Sequence, residues 1–404
     1  MEKNFVIIGS GVAAVNAAKT IREYDKGSNI FIFGEEPSLP YKRIKLSKDL
    51  YSDLNSEKVL IKKKKWYQDN HISVFINTKV VKINTDEQFI VTSNEAVFSY
   101  HKLLICTGAN NRRLEINGIH KKNIFTIRDM KEADELKGHL EDKESVVTIG
   151  GGVQGLETAW SILKAGKKVS IVEVAPLLMR RQLDIKSSLL LKRKIEKEGV
   201  KVYLNTSIDS ILGKESVTGI KMNDNSQINC DSIVYSIGVT PNTKLVHDTA
   251  IKLNRGIVVD KEMRTNIDSV YAAGDVAEVN NEIEGLWGTA LEQGRVAGSN
   301  MVSKTAIYKK EIPTTIFNAF NVSLFSIGVV NEEQCDATIV EEDGKEKYTR
   351  LFIKDNKIVG VISVEGVAAS ISYKSAIEKH VSLEGIDLLN TNISEIMNKL
   401  KEKI

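Results

Sequence analysis

Cysteine is scarce in this sequence: three residues in 404, Cys106, Cys230 and Cys335, far apart and odd in number. No Cys-x-x-Cys pair occurs, which argues against a dithiol redox centre or a zinc site and for a reducing, cytoplasmic setting. The six histidines show no ligand spacing, so no metal ligand is assigned. An excess of one charge is also lacking: 56 Lys and Arg face 53 Asp and Glu, leaving a net charge of +3. That balance makes no electrostatic case for nucleic acid, and no nucleic-acid motif accompanies it. Long apolar runs are missing too. The stretch Ile312 to Asn331 has no charge, but Pro313, Thr314, Thr315, Asn318, Asn321, Ser323, Ser326 and Gly328 make it too polar for a membrane span. It reads as buried strands joined by a turn. The opening Met1-Glu2-Lys3-Asn4 runs straight into an apolar strand, which leaves no room for a signal peptide.

What the sequence does have is two glycine turns. Gly9-Ser10-Gly11-Val12-Ala13-Ala14 follows the apolar run Phe5 to Ile8, and Glu35 closes the next run, Ile30 to Phe33. Gly150-Gly151-Gly152-Val153-Gln154-Gly155 follows Val146 to Ile149, and Glu173 closes Val169 to Val172. Each is a strand, a glycine turn, a helix and a strand ending in an acid about 20 residues on, the pattern of a dinucleotide site. The glycines let the chain turn tightly and let pyrophosphate approach a helix N-terminus. The acid accepts hydrogen bonds from a ribose. Two dinucleotides in one chain point to FAD and a nicotinamide, and to hydride transfer between them. No basic residue follows Glu173 until Arg180, which favours NADH over NADPH because a 2′-phosphate needs cations there.

The pattern predicts an α/β fold: two Rossmann-like three-layer nucleotide-binding domains, the second inserted in the first, and a C-terminal α+β domain. The boundaries are drawn at 1–112 with 239–310, at 113–238 and at 311–404. Helices are expected over 12–24, 129–140, 153–165, 184–198 and 290–304, and C-terminal strands at 350–354 and 357–364 ahead of a final pair of helices.

Gly9 to Ala14, Leu103 to Ala109, Gly150 to Glu157 and Thr265 to Asp275 together resemble the FAD-dependent pyridine-nucleotide oxidoreductases, in particular the rubredoxin-reducing and nitrite-reductase-type members. The resemblance implies that Thr107 and Gly108 lie against FAD and that Asp275, after Gly274, bonds its ribityl chain. It implies Val80 beside the adenine, Arg128 supporting the flavin, and Gly238 in the link back to the first domain. Trp287 is expected to line the flavin edge. The family's flavin-proximal cysteine is absent from Pro37 to Lys48. In its place Leu46-Ser47-Lys48 resembles a Leu-Ser-Lys triplet whose lysine sits near flavin N5 with a glutamate, here Glu157. Lys48 and Glu157 are therefore the candidate catalytic pair. The candidate cofactor residues are Gly9, Gly11, Ala13, Ala14, Glu35, Arg43, Lys48, Val80, Thr107, Gly108, Arg128, Gly274, Asp275, Gly150, Gly152, Gly155, Glu173 and Gly238.

The implied activity is an enzyme's: electrons pass from NADH through FAD to an external acceptor, a small acidic carrier such as rubredoxin or ferredoxin. Two alternatives stay open, a peroxide-forming NADH oxidase using oxygen and a non-catalytic redox reporter. A monomer or homodimer without nucleic-acid or membrane partners is expected. Lys62 to Lys65, with Lys42, Arg43 and Lys45 upstream, reads either as a solvated helix start or as a docking surface for the carrier.

Overall fold

A computed structural model of the chain describes residues 3–344, 346–388 and 390–401. The run Phe5 to Ile8 has apolar side chains on both faces of a strand, the mark of a parallel strand covered on both sides. It sits at the centre of a five-stranded parallel sheet ordered Val270–Ala272, Lys102–Ile105, Asn4–Ile8, Asn29–Phe33, Ile72–Phe75. Helix α1 (Val12–Tyr24) crosses between its first two strands in sequence. A three-stranded antiparallel sheet (Val80–Asn84, Phe89–Thr92, Val97–Ser99) packs on the same core through Phe98, which meets Phe31, Phe33 and Phe75. Two short helices, α2 (Lys45–Lys48) and α3 (Lys64–Asp69), fill the connection after the second strand.

The second parallel sheet is ordered Lys201–Tyr203, Lys168–Val172, Ser145–Ile149, Ser232–Tyr235, Ile124–Phe125. Around it lie α4 (Met130–His139), α5 (Val153–Lys164) and α6 (Ile185–Lys197). Where the chain passes into and out of this region, Ala109–Asn111 pairs antiparallel with Val239–Pro241. Helix α7 (Trp287–Met301) then returns to the first core and lies against α1. It starts earlier than the predicted 290. The contact is very close. A Cβ on Gly294 would sit 2.2 Å from the Ala13 carbonyl oxygen, and one on Gly298 2.6 Å from that of Ala17.

The C-terminal region is a five-stranded antiparallel sheet, Thr314–Ala319, Val322–Gly328, Lys357–Val364, Tyr348–Lys354, Ala337–Glu342, followed by α8 (Ser370–Glu378) and α9 (Ile393–Lys401). The charge-free stretch is its first hairpin, turned by Phe320 and Asn321, both in the left-handed region. Alternation sends Phe325, Ile327, Leu351 and Val361 toward α8 and α9. It sends Phe317, Leu324, Phe352 and Ile362 into a core shared with Ala159, Ile162 and Leu191 of α5 and α6. Strand Ala337–Glu342 was not expected from the sequence. It is an edge strand, mostly exposed and ending in two glutamates, so it has no apolar stripe to reveal it. Among the described residues no helix is long and apolar enough to cross a membrane.

Candidate functional site

Both glycine turns open into a single cleft of about 2680 Å³. That is several times the roughly 300–1,000 Å³ that a drug-sized ligand occupies. Gly9 and Gly150 are in the left-handed region, and a Cβ on either would strike backbone, the Cys106 carbonyl oxygen at 2.1 Å or that of Ser236 at 2.3 Å. Only glycine allows these turns to press on the neighbouring parallel strand. Gly11 and Gly152, by contrast, face open space and are the N-caps of α1 and α5. Neither helix has a side-chain cap or an acid in its first turn. Helices α4 and α6 differ, each capped by an aspartate, Asp129 and Asp184. The two glycine-turn helices thus leave their N–H donors and positive dipole ends free for anions in the cleft. These features fit the pyrophosphates of two dinucleotides.

Of the residues expected in the cofactor sites, all but two lie on the cleft wall. The exceptions are Ala14 and Gly155. Ala14 is fully buried under the first turn, and a Cβ on Gly155 would meet the Gly150 carbonyl oxygen at 2.1 Å. Both shape the turn rather than face a ligand.

The acids are held differently. Glu35 is mostly exposed and pairs with Lys79 at 2.6 Å. Glu173 accepts from the Gly151 N–H at 2.5 Å and the Ala175 N–H at 2.7 Å, so its carboxylate is fixed at the rim of the second turn. Arg180 and Arg181 also line the cleft on this chain segment. Glu36, which the sequence reading passed over, accepts from the Tyr41 hydroxyl at 2.6 Å and pairs with Arg43. Arg43 donates to the Arg128 carbonyl at 2.9 Å, and Arg128 reaches Asp275 at 3.1 Å. Burial pushes the Tyr41 hydroxyl far above its ordinary pKa, so it stays a donor. The only signal for Glu36 was its place beside Glu35.

Thr107 and Asn242 exchange two hydrogen bonds, from Thr107 Oγ1 to the Asn242 carbonyl at 2.8 Å and from Asn242 Nδ2 back at 2.9 Å. Gly108, whose Cβ position lies 3.5 Å from Arg128 Nη2, and Gly238 both have positive φ. Gln293 of α7 accepts from the Gly274 N–H at 2.8 Å. The start of α7, with Trp287 first, lines the cleft and also lacks a side-chain cap. Its approach depends on Gly294 and Gly298, whose Gly-x-x-x-Gly spacing was the overlooked signal.

Lys48 and Glu157 meet on the cleft wall where α2 packs on α5. Glu157 is 6 % exposed, and its Oε2 accepts from Ser47 Oγ at 3.0 Å. Lys48 Nζ lies 3.4 Å from Oε1, an ion pair too long to count as a well-formed hydrogen bond, so among the described residues Oε1 has no well-formed hydrogen-bond donor. Burial raises the Glu157 pKa above its ordinary value against the opposing pull of Lys48 and Ser47.

The cysteines offer no nucleophile here. Cys106 is buried with its pKa driven far up, and burial pushes Cys230 up to about 12. The lysine run is engaged locally. Lys62 lies over the Trp66 ring, Lys63 pairs with Glu57 at 2.9 Å and Lys65 with Asp69 at 2.8 Å.

Residues 3–294 match the family model described as pyridine nucleotide-disulphide oxidoreductase, and residues 313–381 match that of the rubredoxin NAD+ reductase C-terminal domain. The chain is 33% identical to a nitrite reductase [NAD(P)H] of Bacillus subtilis over 89% of its own length and 45% of the relative's. It is 29% identical to an NADH-rubredoxin oxidoreductase of Clostridium acetobutylicum over 97% of its length and 98% of the relative's. The chain therefore spans about half the length of the nitrite reductase and nearly all of the rubredoxin-linked enzyme. The solved NADH:rubredoxin oxidoreductase of Clostridium acetobutylicum superposes with a TM-score of 0.79 at 27% identity, covering 99% of this chain and 100% of that one.

Proposed function

The chain belongs to the pyridine nucleotide-disulphide oxidoreductase family, and from that premise we propose that it is an FAD-dependent enzyme that carries electrons from NADH to a small acidic carrier of the rubredoxin type. The observation that carries this reading is the single cleft into which two uncapped glycine-turn helices open, with a half-exposed Lys48 paired to a buried Glu157 on its wall. The C-terminal match favours carrier reduction over the peroxide-forming oxidase and the reporter.

Residues 1–112 with 239–310 form the FAD domain of this proposal, 113–238 the NADH domain inserted in it, and 311–404 the C-terminal domain. Its support is the antiparallel pair Ala109–Asn111 and Val239–Pro241, where the chain crosses between the two parallel sheets. The support for a cytoplasmic setting is the sparse, odd-numbered cysteine set, far apart in sequence.

Bound FAD would supply the redox chemistry, hydride acceptance from reduced nicotinamide and electron release to an acceptor. The chain's own part is mainly placement. The α1 N-terminus and Glu35 hold one dinucleotide, and the α5 N-terminus and Glu173 the other. Glu173, pinned by two backbone N–H groups, presents its remaining lone pairs to a ribose with free hydroxyls. Lys48 supplies a positive charge where reduction adds negative charge, and Glu157 keeps that ammonium in place. The Arg128–Asp275 contact ties the segment before α4 to the turn after Val270–Ala272.

The test is anaerobic mixing of the FAD-loaded protein with NADH or NADPH, then with rubredoxin, ferredoxin or oxygen. NADH should bleach the yellow chromophore fastest, and rubredoxin should restore it within the turnover time. A purified protein that takes up no flavin would overturn the reading.

A further inference from the structure

Helix α2 is a single turn, Lys45–Lys48, with no side-chain cap at its start. One turn of helix has no stability of its own. What fixes it in place is the buried face of α5. Glu157 and Ser161 lie four residues apart there, hence on the same side of the helix. Ser161 is 4 % exposed, and its Oγ lies 2.8 Å from the Ser47 carbonyl and 3.1 Å from the Lys48 carbonyl, the last two of α2. In return, Ser47 Oγ donates to Glu157 Oε2 at 3.0 Å. The two serines thus form a reciprocal clasp across more than 100 residues of sequence. Leu46 adds only apolar packing, which resists separation but not sliding.

Among the described residues Lys48 has no other hold at its tip. Its side chain is 45 % exposed and its one acidic contact among them is Glu157 at 3.4 Å. Where its ammonium sits therefore depends on where its backbone is anchored, and the Ser161 hydroxyl is the polar anchor of that backbone.

We propose that Ser161 is a positioning residue for the Lys48–Glu157 pair, acting through the carbonyls of Ser47 and Lys48 to hold the lysine at the redox-active part of the cleft. This rests on the reading that Lys48 stands beside the flavin, and it adds a residue that touches neither cofactor nor substrate.

The experiment measures the flavin midpoint potential of FAD-loaded protein by spectroelectrochemical titration, in wild type, Lys48→Ala, Ser161→Ala and Ser161→Thr. Removing the lysine charge should disfavour reduction by about tenfold, roughly 30 mV for a two-electron couple. Ser161→Ala should reproduce at least half of that shift and lower kcat with little change in KM for NADH. Ser161→Thr, which keeps the hydroxyl, should restore both. If Ser161→Ala fails to fold, Ser161→Cys, near-isosteric but a weak donor, replaces it with the same expected shift. A wild-type potential in Ser161→Ala or Ser161→Cys, while Lys48→Ala is shifted, overturns the proposal alone. An unshifted Lys48→Ala overturns the placement of the pair at the flavin, and the proposal with it.

Discussion

Replacing Gly155 with alanine adds one methyl group at a point where helix and strand already touch. The new Cβ would lie 2.1 Å from the Gly150 carbonyl oxygen, against 3.4 Å at the near edge of ordinary contact. The obstacle is backbone in the same glycine turn, so no side chain can rotate away, and α5 must retreat by about 1 Å. Overpacking of this kind costs about 1–3 kcal/mol, and the gain in helix propensity returns about 1 kcal/mol. The upper half of the cost range applies because the clash is rigid, which leaves a net loss of about 1–2 kcal/mol. Gly138 provides the control. It lies exposed in α4 with nothing within 4 Å of its Cβ position, so the same substitution there should gain up to about 1 kcal/mol. Urea unfolding followed by tryptophan fluorescence suits the comparison, because Trp160 is on α5 with its ring 5.1 Å from that of Phe320. Function should follow geometry. On the proposed placement of the nicotinamide dinucleotide at the start of α5, a shift of 1 Å there should lower kcat/KM for NADH by about 10–100-fold. If Gly155→Ala proved as stable as Gly138→Ala and used NADH normally, the close-packing argument would be wrong.

Three further outcomes follow from side chains with unusual surroundings. Glu173→Gln removes the charge that the Gly151 and Ala175 N–H groups hold in place, and should raise KM for NADH by about 10–100-fold, given about 1.5–3 kcal/mol for a hydrogen bond to a charged group. An equal effect on flavin content would count against a role confined to the nicotinamide dinucleotide. Asp184→Asn should cost about 1.5–3 kcal/mol at neutral pH, because the carboxylate serves Tyr348 at 2.5 Å and Arg350 at 3.2 Å. Burial opposes that charge, yet bonds from Ser187, Tyr348 and Arg350 hold its pKa below the ordinary 3.8. Its stabilisation is therefore present above that value and is lost as pH falls through the lowered one. Glu157 works in the opposite direction. Its pKa is raised from 4.5, chiefly by burial, so the folded state keeps its proton longer than the unfolded chain does, and stability declines as pH rises from 4.5 through the raised value. Glu157→Gln should flatten that decline in urea titrations, and a slope identical to wild type would refute it.

The parts of the fold that could be read from the chain are those whose cause is local. Phe5 to Ile8 and Val146 to Ile149 announce covered parallel strands because both faces are apolar, and the turns after them need glycine for reasons confined to a few residues. Asp184 shows where such reading stops. As an aspartate before an amphipathic run it signals a helix start, and it does cap α6 through the Ser187 N–H at 2.9 Å. Its second oxygen binds Tyr348 and Arg350, more than 160 residues on, and nothing in the local pattern requires that. Ser161 is the same case without the local clue, a small polar residue on a buried helix face whose partners are two carbonyls of another segment. Glu36 differs again, since a neighbouring acid at the end of the same strand made the better-known assignment. Asp184 and Ser161 share one trait, whereas Glu36 bonds within its own segment, to Tyr41 and Arg43. Each of those two spends its polar group on joining separate parts of the chain, so its identity is fixed by tertiary geometry and not by its neighbours in sequence. The Lys48–Glu157 pair lies on such a junction, α2 against α5. Its lysine can be recognised from a triplet of residues, but its position is set by a serine that no local pattern singles out.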